Sequence, residues 1–365
     1  MSVTKVTTPV IDSPGLESGQ RNFIIDGDFT QWPEGTSATT HVQNDYSSAM
    51  WYTKLSHDGS STWERSTDVP TIGASGHQSS YSMLIKCTGT DSSIAASQTL
   101  RPRFYITGSD FTSLHQQEVT FSFWCKTSSQ NSGHVYYFSL SNSAENRTYV
   151  QNFTATSAWT KFTYTIPLDT SGTWLFTEAD IGLAITFSLV SGTTYDDGTI
   201  GSWVGSAEFW DSGTAISNFL DHTSNEIYFS QVGLYLGSTA PNFTSEPIAT
   251  VNDQLAYYFR KIGGDVSTQY SYTAAVLTTS VGGGFALFDP PMRAAPTCAF
   301  AGTNTNFKMY LNAASTASTG NPTFDGISKA GVRVMLATGA TMTTGQAGAI
   351  VHQTTSEYFT FDARH

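Results

Sequence analysis

Flat aromatic faces beside carboxylates are the side-chain combination that grips a sugar ring, and residues 195–210 hold a dense example. In YDDGTIGSWVGSAEFW, Tyr195, Trp203 and Trp210 supply rings, while Asp196, Asp197 and Glu208 can pair with hydroxyls. Trp51 and Trp63 complete the candidate glycan-binding set, and Tyr52 is a further aromatic in the same loop-like segment as Trp51. Buried aromatics are also the ordinary filling of a β-sandwich, so packing is the competing reading for every one of these rings. The carboxylates invite a second chemistry, because glycoside hydrolysis needs two carboxyl groups flanking one bond. Asp196 or Asp197 with Glu208 is such a pairing, but 29 acidic residues supply such pairs by chance. No G-x-S-x-G elbow, H-E-x-x-H pair, phosphate loop or dinucleotide fingerprint accompanies them. The eight histidines are dispersed, without metal-ligand spacing. The expectation is a protein that is not an enzyme, with no catalytic residue and no cofactor.

The elements that must carry these side chains are strands. Only 13% of the 365 residues are charged and another 13% are aromatic, with Ser, Thr and Gly filling much of the rest, a mixture suited to pleated surfaces and tight turns. The composition predicts an all-β chain. A net charge of −12, from 17 basic and 29 acidic residues, disfavours nucleic acid and anionic membranes as partners. The three cysteines, Cys87, Cys125 and Cys298, are too few and too scattered for a disulfide framework. No signal-like or membrane-spanning stretch is read, so the expectation is a soluble protein made in the cytoplasm without membrane insertion.

Four segments follow along the chain. Residues 1–20, polar and broken by Pro9 and Pro14, read as an extended anchoring arm. Residues 21–245 read as a large antiparallel sandwich whose strands include Phe23–Phe29, Val119–Lys126, Lys161–Ile166, Ile181–Leu189 and Ile227–Leu236. In 246–264, Val251, Leu255, Tyr258, Phe259 and Ile262 fall on one helical face, which predicts a linker helix ended by Gly263-Gly264. Residues 265–365 return to short strands and predict a smaller C-terminal β-sandwich whose modest apolar content favours association between subunits.

Three stretches resemble bacteriophage tail-fibre and appendage (head or tail fibre) proteins that carry a carbohydrate-binding-module-like jelly roll. Asn22–Gly35 (NFIIDGDFTQWPEG), with Trp51 following, is similar to the opening of that jelly roll. Glu226–Phe243 (EIYFSQVGLYLGSTAPNF) resembles its last strand and leads into QLAYYFRKI, similar to the family's Arg-Tyr-Tyr helix without the usual cysteine. Phe288–Thr297 (FDPPMRAAPT) resembles a Met-Arg-X-X-Pro motif of the C-terminal β domain. The resemblance implies an N-terminal jelly roll, a linker helix and a C-terminal sandwich associated as a homotrimer, with Leu255, Tyr258, Phe259 and Ile262 as the candidate oligomer interface. It also implies a structural Ca²⁺ near the first strand, for which Asp26 and Asp28 are the matching residues; the acidic partner usual in the last strand is replaced by the Ser230-Gln231 region. A polar turn is the plainer reading of Asp-Gly-Asp.

The functional expectation is a virion structural protein on the phage particle. It would dock other capsid or tail proteins through residues 1–20 and attach to a host-surface glycan. The alternatives are a decoration or adaptor protein without glycan binding and, third, a polysaccharide depolymerase.

Overall fold

The computed structural model describes residues 21–365 except 42, 206–207, 214–215 and 313, so the arm expected at 1–20 lies outside the described residues. Strands make up 45% and helices 7%, and the protein is all-β. The chain forms two compact units, the first ending at Glu246 and the second running from Pro247 to His365.

Ten principal strands build the first unit: β1 (Trp51–Ser56), β2 (Ser60–Ser66), β3 (Ser82–Gly89), β4 (Thr99–Thr107), β5 (Glu118–Thr127), β6 (Val135–Ser141), β7 (Arg147–Thr154), β8 (Thr160–Pro167), β9 (Ile181–Ser188) and β10 (Glu226–Leu236). One sheet runs Thr39–Thr40, β2, β3, β10, β5, β8, and the other Trp203–Gly205, β7, β6, β9, β4, β1, Asp45–Tyr46. Alternate residues of each strand meet between the sheets. There Phe187 of β9 lies 4.2 Å from Phe229 of β10 and 4.9 Å from Phe123 of β5, while Phe121 lies 5.0 Å from Phe138 of β6. Cys87 and Cys125 are free thiols in this unit, both buried.

Residues 23–29 are not the strand expected of them; they fold as consecutive turns. Side chains take the hydrogen bonds that a ladder would have taken. Asn22 Oδ1 accepts from the amides of Ile24 and Leu234, both at 3.0 Å, and its Nδ2 donates to the Val232 carbonyl at 3.1 Å. These bonds seat the segment on β10, where Gln231 has a φ of 50° and the pairing register shifts between Ser230 and Gly233. Gly27 has no alternative at this seat, because a Cβ there would stand 1.9 Å from the Val232 carbonyl oxygen.

The second unit adds β11 (Phe259–Gly263), β12 (Gln269–Thr278), β13 (Val281–Leu287), β14 (Thr297–Ala301), β15 (Phe307–Leu311), β16 (Ala314–Ala317), β17 (Thr323–Ser328), β18 (Gly331–Ala337), β19 (Ala347–His352) and β20 (Tyr358–Asp362). A sheet ordered β16-β15-β19-β12-β13-β18-β17 and a sheet ordered β11-β20-β14 share a core that includes Phe307, Val334, Ile350, Phe359 and Phe361. The helix expected over 246–264 is shorter, spanning Ile248–Ala256, and Phe259–Gly263 is a strand paired with β20 from Phe259↔Asp362 to Gly263↔Tyr358. Pairing with a segment a hundred residues downstream overrides the local helical period. The expected interface stripe is thereby broken up. Leu255 and Tyr258 are 9% and 3% exposed inside their own unit, Ile262 packs on the core, and the Arg364 guanidinium covers the Phe259 ring at 4.2 Å. Arg293 of the Met-Arg-X-X-Pro stretch is itself buried, donating from Nε to the Ala363 carbonyl at 2.7 Å.

Two measurements test this packing. Gly27→Ala forces the Cβ into the backbone of β10 and is expected to destabilise the first unit by at least ~1–3 kcal/mol in urea titration, the usual cost of overpacking. In the second unit, burial pushes the His352 imidazole down to about 4, with Glu357 opposing, against an ordinary value of 6.5. As pH falls below 6.5 the unfolded chain takes that proton first. Stability is therefore intact above 6.5 and drains as pH falls toward 4. Glu357 acts in the same direction lower down, because its hydrogen bonds outweigh burial and hold its carboxyl below 4.5. All eight tryptophans lie before residue 211. Circular dichroism is expected to report acid destabilisation of the second unit without a matching change in tryptophan fluorescence, and His352→Gln to reduce the slope.

Candidate functional site

Strand alternation in β4 decides what the second sheet shows on its outer side. Leu100, Phe104 and Ile106 are buried between the sheets, so Arg101, Arg103 and Tyr105 point the other way. Register sets their neighbours: Tyr52 and Lys54 of β1 pair with Arg103 and Arg101, and Thr186 of β9 pairs with Arg103 from the other side. The β6–β7 turn adds Glu145. Asn142 Oδ1 accepts from the amides of Asn146 and Arg147 at 3.1 Å, and Glu145 takes a φ of 54°. Tyr195 and residues 208–212 then cover this face: Trp210 donates its amide to the Tyr195 carbonyl at 2.9 Å, and Tyr137 Oη meets Ser212 Oγ at 2.9 Å.

The resulting cluster is ionic beneath aromatic cover. Arg103 is fully buried; it donates from Nε to Thr186 Oγ1 at 3.0 Å and from Nη1 to Glu145 Oε1. Lys54 Nζ stands 3.7 Å from the same carboxylate oxygen. The Trp210 indole lies over both guanidiniums, 4.2 Å from Arg101 and 4.6 Å from Arg103, with Tyr195 at 5.2 Å from Arg101. Burial lowers the Arg103 guanidinium, but Glu145 and Tyr105 together more than offset it and the net shift is upward. For Arg101, burial followed by repulsion from Arg103 outweighs the attraction of Glu145 and Glu208 and pushes it down to about 9. Glu208 completes the group. Burial, then the Glu145 charge and a hydrogen bond to it, raise the Glu208 carboxyl, whereas Glu145 is held low by Arg103 and Lys54 against its own burial. The two carboxyl groups are hydrogen-bonded to each other, with Glu208 shifted upward and Glu145 downward. At the rim, Tyr52 and Tyr105 form a half-buried pair of rings 5.6 Å apart, extended by Tyr46 at 5.2 Å from Tyr52.

Of the residues singled out from sequence, Tyr195, Glu208 and Trp210 enter this cluster. Trp51 does not; it is 1% exposed and stacks on Phe187 inside the sandwich. Trp63 is fully buried, edge-on to His41. Trp203 donates to the Pro167 carbonyl at 2.8 Å and packs edge-to-face on Trp174. Asp196 and Asp197 follow the short turn Thr193–Tyr195, and among the described residues neither is hydrogen-bonded or ion-paired to Lys54, Arg101, Arg103 or Glu145. Tyr52, also singled out from sequence, stands at the rim of the cluster. Arg101, Arg103, Tyr105, Lys54 and Glu145 escaped the sequence reading; the signal for the first three was Arg-x-Arg-x-Tyr inside LRPRFYI, polar residues at a period of two in an apolar run.

Two other polar groupings look chemical and differ in geometry. Ser245 Oγ lies 2.6 Å from Asp28 Oδ2 and 2.9 Å from His77 Nε2, and that same Nε2 lies 3.2 Å from Asp28 Oδ2. A Ser-His-Asp relay needs the carboxylate on one ring nitrogen and the hydroxyl on the other, so no relay runs through this imidazole. Asp26, matched to a calcium ligand, spends its oxygens on the amides of Thr30 and Gln31 at 2.9 and 2.8 Å and on the Thr30 hydroxyl. No group of three or more His, Cys, Asp or Glu gathers among the described residues. A separate pocket of about 340 Å³ opens beside the β1–β2 turn, lined by residues such as His41, His57 and Gln98 but by no tryptophan or tyrosine.

No family model matches the chain, and no curated protein does. Solved structures do share features with it. They include the tailspike protein 4 enzymatically active domain of bacteriophage CBA120 (11% identity, 51% of this chain, 19% of that one, TM-score 0.29). TmCBM61 in complex with β-1,4-galactotriose matches at 12% identity over 60% of this chain and 99% of that one (TM-score 0.29). The CBM22-1–CBM22-2 tandem domain of Paenibacillus barcinonensis Xyn10C matches at 9% identity over 90% and 97% (TM-score 0.28). The chain thus spans about a fifth of the tailspike domain. At such scores none of these likenesses assigns a ligand.

Trp210→Ala removes the cover from two buried guanidiniums. It is expected to cost about 3–5 kcal/mol, the range for truncating a buried aromatic, read from urea unfolding of the full chain.

Proposed function

We propose that the first unit binds a glycan, without catalysis, on the outer face of its second sheet, and that the protein is a surface subunit of a phage particle that attaches to host glycans. The observation that carries the binding part is the Tyr52–Tyr105 ring pair standing half-exposed beside Lys54, Glu145 and Glu208. Rings of this kind stack on the apolar faces of sugars, while the adjoining charges reach hydroxyls. Behind them the sheet is floored by polar side chains, Ser139, Ser141, Thr186 and Ser188, all fully buried. Such a floor suits a hydroxylated ligand better than an apolar one. Catalysis is disfavoured because Glu145 and Glu208 contact each other directly, whereas glycoside hydrolysis holds its two carboxyl groups at least ~5 Å apart around the sugar bond. What supports the virion part is the sequence resemblance of Asn22–Gly35, Glu226–Phe243 and Phe288–Thr297.

A second reading, a structural subunit without glycan binding, is favoured by one observation in the second unit. Phe285 and Leu287 of β13 are 62% and 78% exposed on the outer face of the larger sheet. Homotrimerisation belongs to either reading, and light scattering of the full chain measures it.

A glycan array followed by calorimetry on the best ligand separates the two. Tyr52→Ala and Tyr105→Ala are each expected to weaken binding at least about fivefold, with the melting temperature held near wild type because both rings are partly solvent-facing. Binding that survives both substitutions would move the site elsewhere, and no binding at all would favour the structural reading.

A further inference from the structure

We infer that the glycan recognised at this face is acidic, its carboxylate seating against Arg101 and Lys54 while a ring stacks on Tyr52 and Tyr105; this deepens the proposed glycan reading and rests on it. The first observation is a count of charge. Three cations, Lys54, Arg101 and Arg103, stand together against two carboxyl groups, Glu145 and Glu208, so the cluster is net positive on a chain whose formal charge is −12. A neutral sugar gives no use for such an island.

The second observation is an unsatisfied cation. Arg103 has an ion pair and a hydroxyl, but Nε and Nη1 of Arg101 are buried and find no acceptor among the described residues, and Arg101 is only 3% exposed. The Trp210 and Tyr195 rings lie over it. Buried guanidinium N–H groups without an acceptor are a standing cost to the fold, and a planar carboxylate is the partner that fork matches. Glu208, on the covering segment, is near enough to Arg101 and Lys54 to feel both as attractive charges, while burial and then Glu145 raise its carboxyl. A ligand carboxylate bound at the same two cations supplies a counter-charge that is not opposed by Glu145 through a direct hydrogen bond.

The test uses the full chain against matched pairs: oligogalacturonides and their carboxyl-reduced galactan counterparts, and sialyllactose and lactose. Within a recognised pair the acid is expected to bind at least about tenfold more tightly, the worth of one charge-assisted contact, with the preference shrinking as salt is raised. Lys54→Met is the informative variant, because Lys54 stands at the rim and its loss leaves the buried ion pair in place. It is expected to narrow the preference at least about threefold by weakening the acid more than the neutral member, the remainder being held by Arg101. Glu208→Gln is expected to keep the preference, since it removes a competing carboxyl group and leaves both cations in place. Equal affinity for acid and reduced forms would overturn the inference and leave the glycan reading standing. Binding of neither member of any pair would overturn both.

Discussion

Two guanidinium groups lying side by side on one strand, under one indole, organise the outer half of the first unit. Each buried ion forfeits several kcal/mol of hydration, and two like charges at neighbouring same-face positions repel as well. Arg103 recovers that cost through Glu145 and Thr186, which is why the β6–β7 turn must reach a left-handed conformation at Glu145 and why Asn142 must hold both following amides. Trp210 supplies further cover, its indole lying over both guanidiniums.

How much of this was legible in the sequence depended on the length scale of each interaction. Strands such as Glu118–Thr127 and Thr160–Pro167 announce themselves because neighbouring residues alternate in polarity. Thr99–Thr107 did not, although it carries the site: Pro102 argues against a strand, and two arginines read as surface charge. The proline is tolerated within the sheet, opposite Thr53 of β1. The stretch Val251–Ile262 misled in the opposite sense. Its apolar period is helical, but Phe259–Gly263 answers to Tyr358–Asp362, a partner no local window contains. The tryptophans failed for a third reason. Ring type says nothing of which side of a strand faces the core, and Trp51 and Trp63 fall on the inner side.

Polar clusters in this protein fall into two kinds, and residue type does not separate them. Asp28, His77 and Ser245 are the members of a hydrolytic triad, and Asp26 and Asp28 match a calcium pair, yet each group is engaged by its own neighbours in contacts that hold a turn or a chain crossing. The Arg101 cluster differs in what remains over. After the ion pairs and hydroxyls are assigned, Nε and Nη1 of Arg101 are left beneath ring faces with no acceptor among the described residues, and the carboxyl of Glu208 nearby is raised by burial and by Glu145.

That surplus has a physical reading. A fold selected for stability alone would remove it, since replacing an uncompensated buried charge with an apolar side chain of similar volume is commonly neutral or stabilising. The inner face of β4, with Leu100, Phe104 and Ile106, shows what such selection yields: full burial and no polar atom outside the backbone. The outer face of the same strand carries strain instead, at alternate positions a few ångströms away. Because the pleat separates the two faces, one can be tuned for recognition without loosening the other, and the residues that destabilise this unit slightly are the ones best placed to meet a partner from solution.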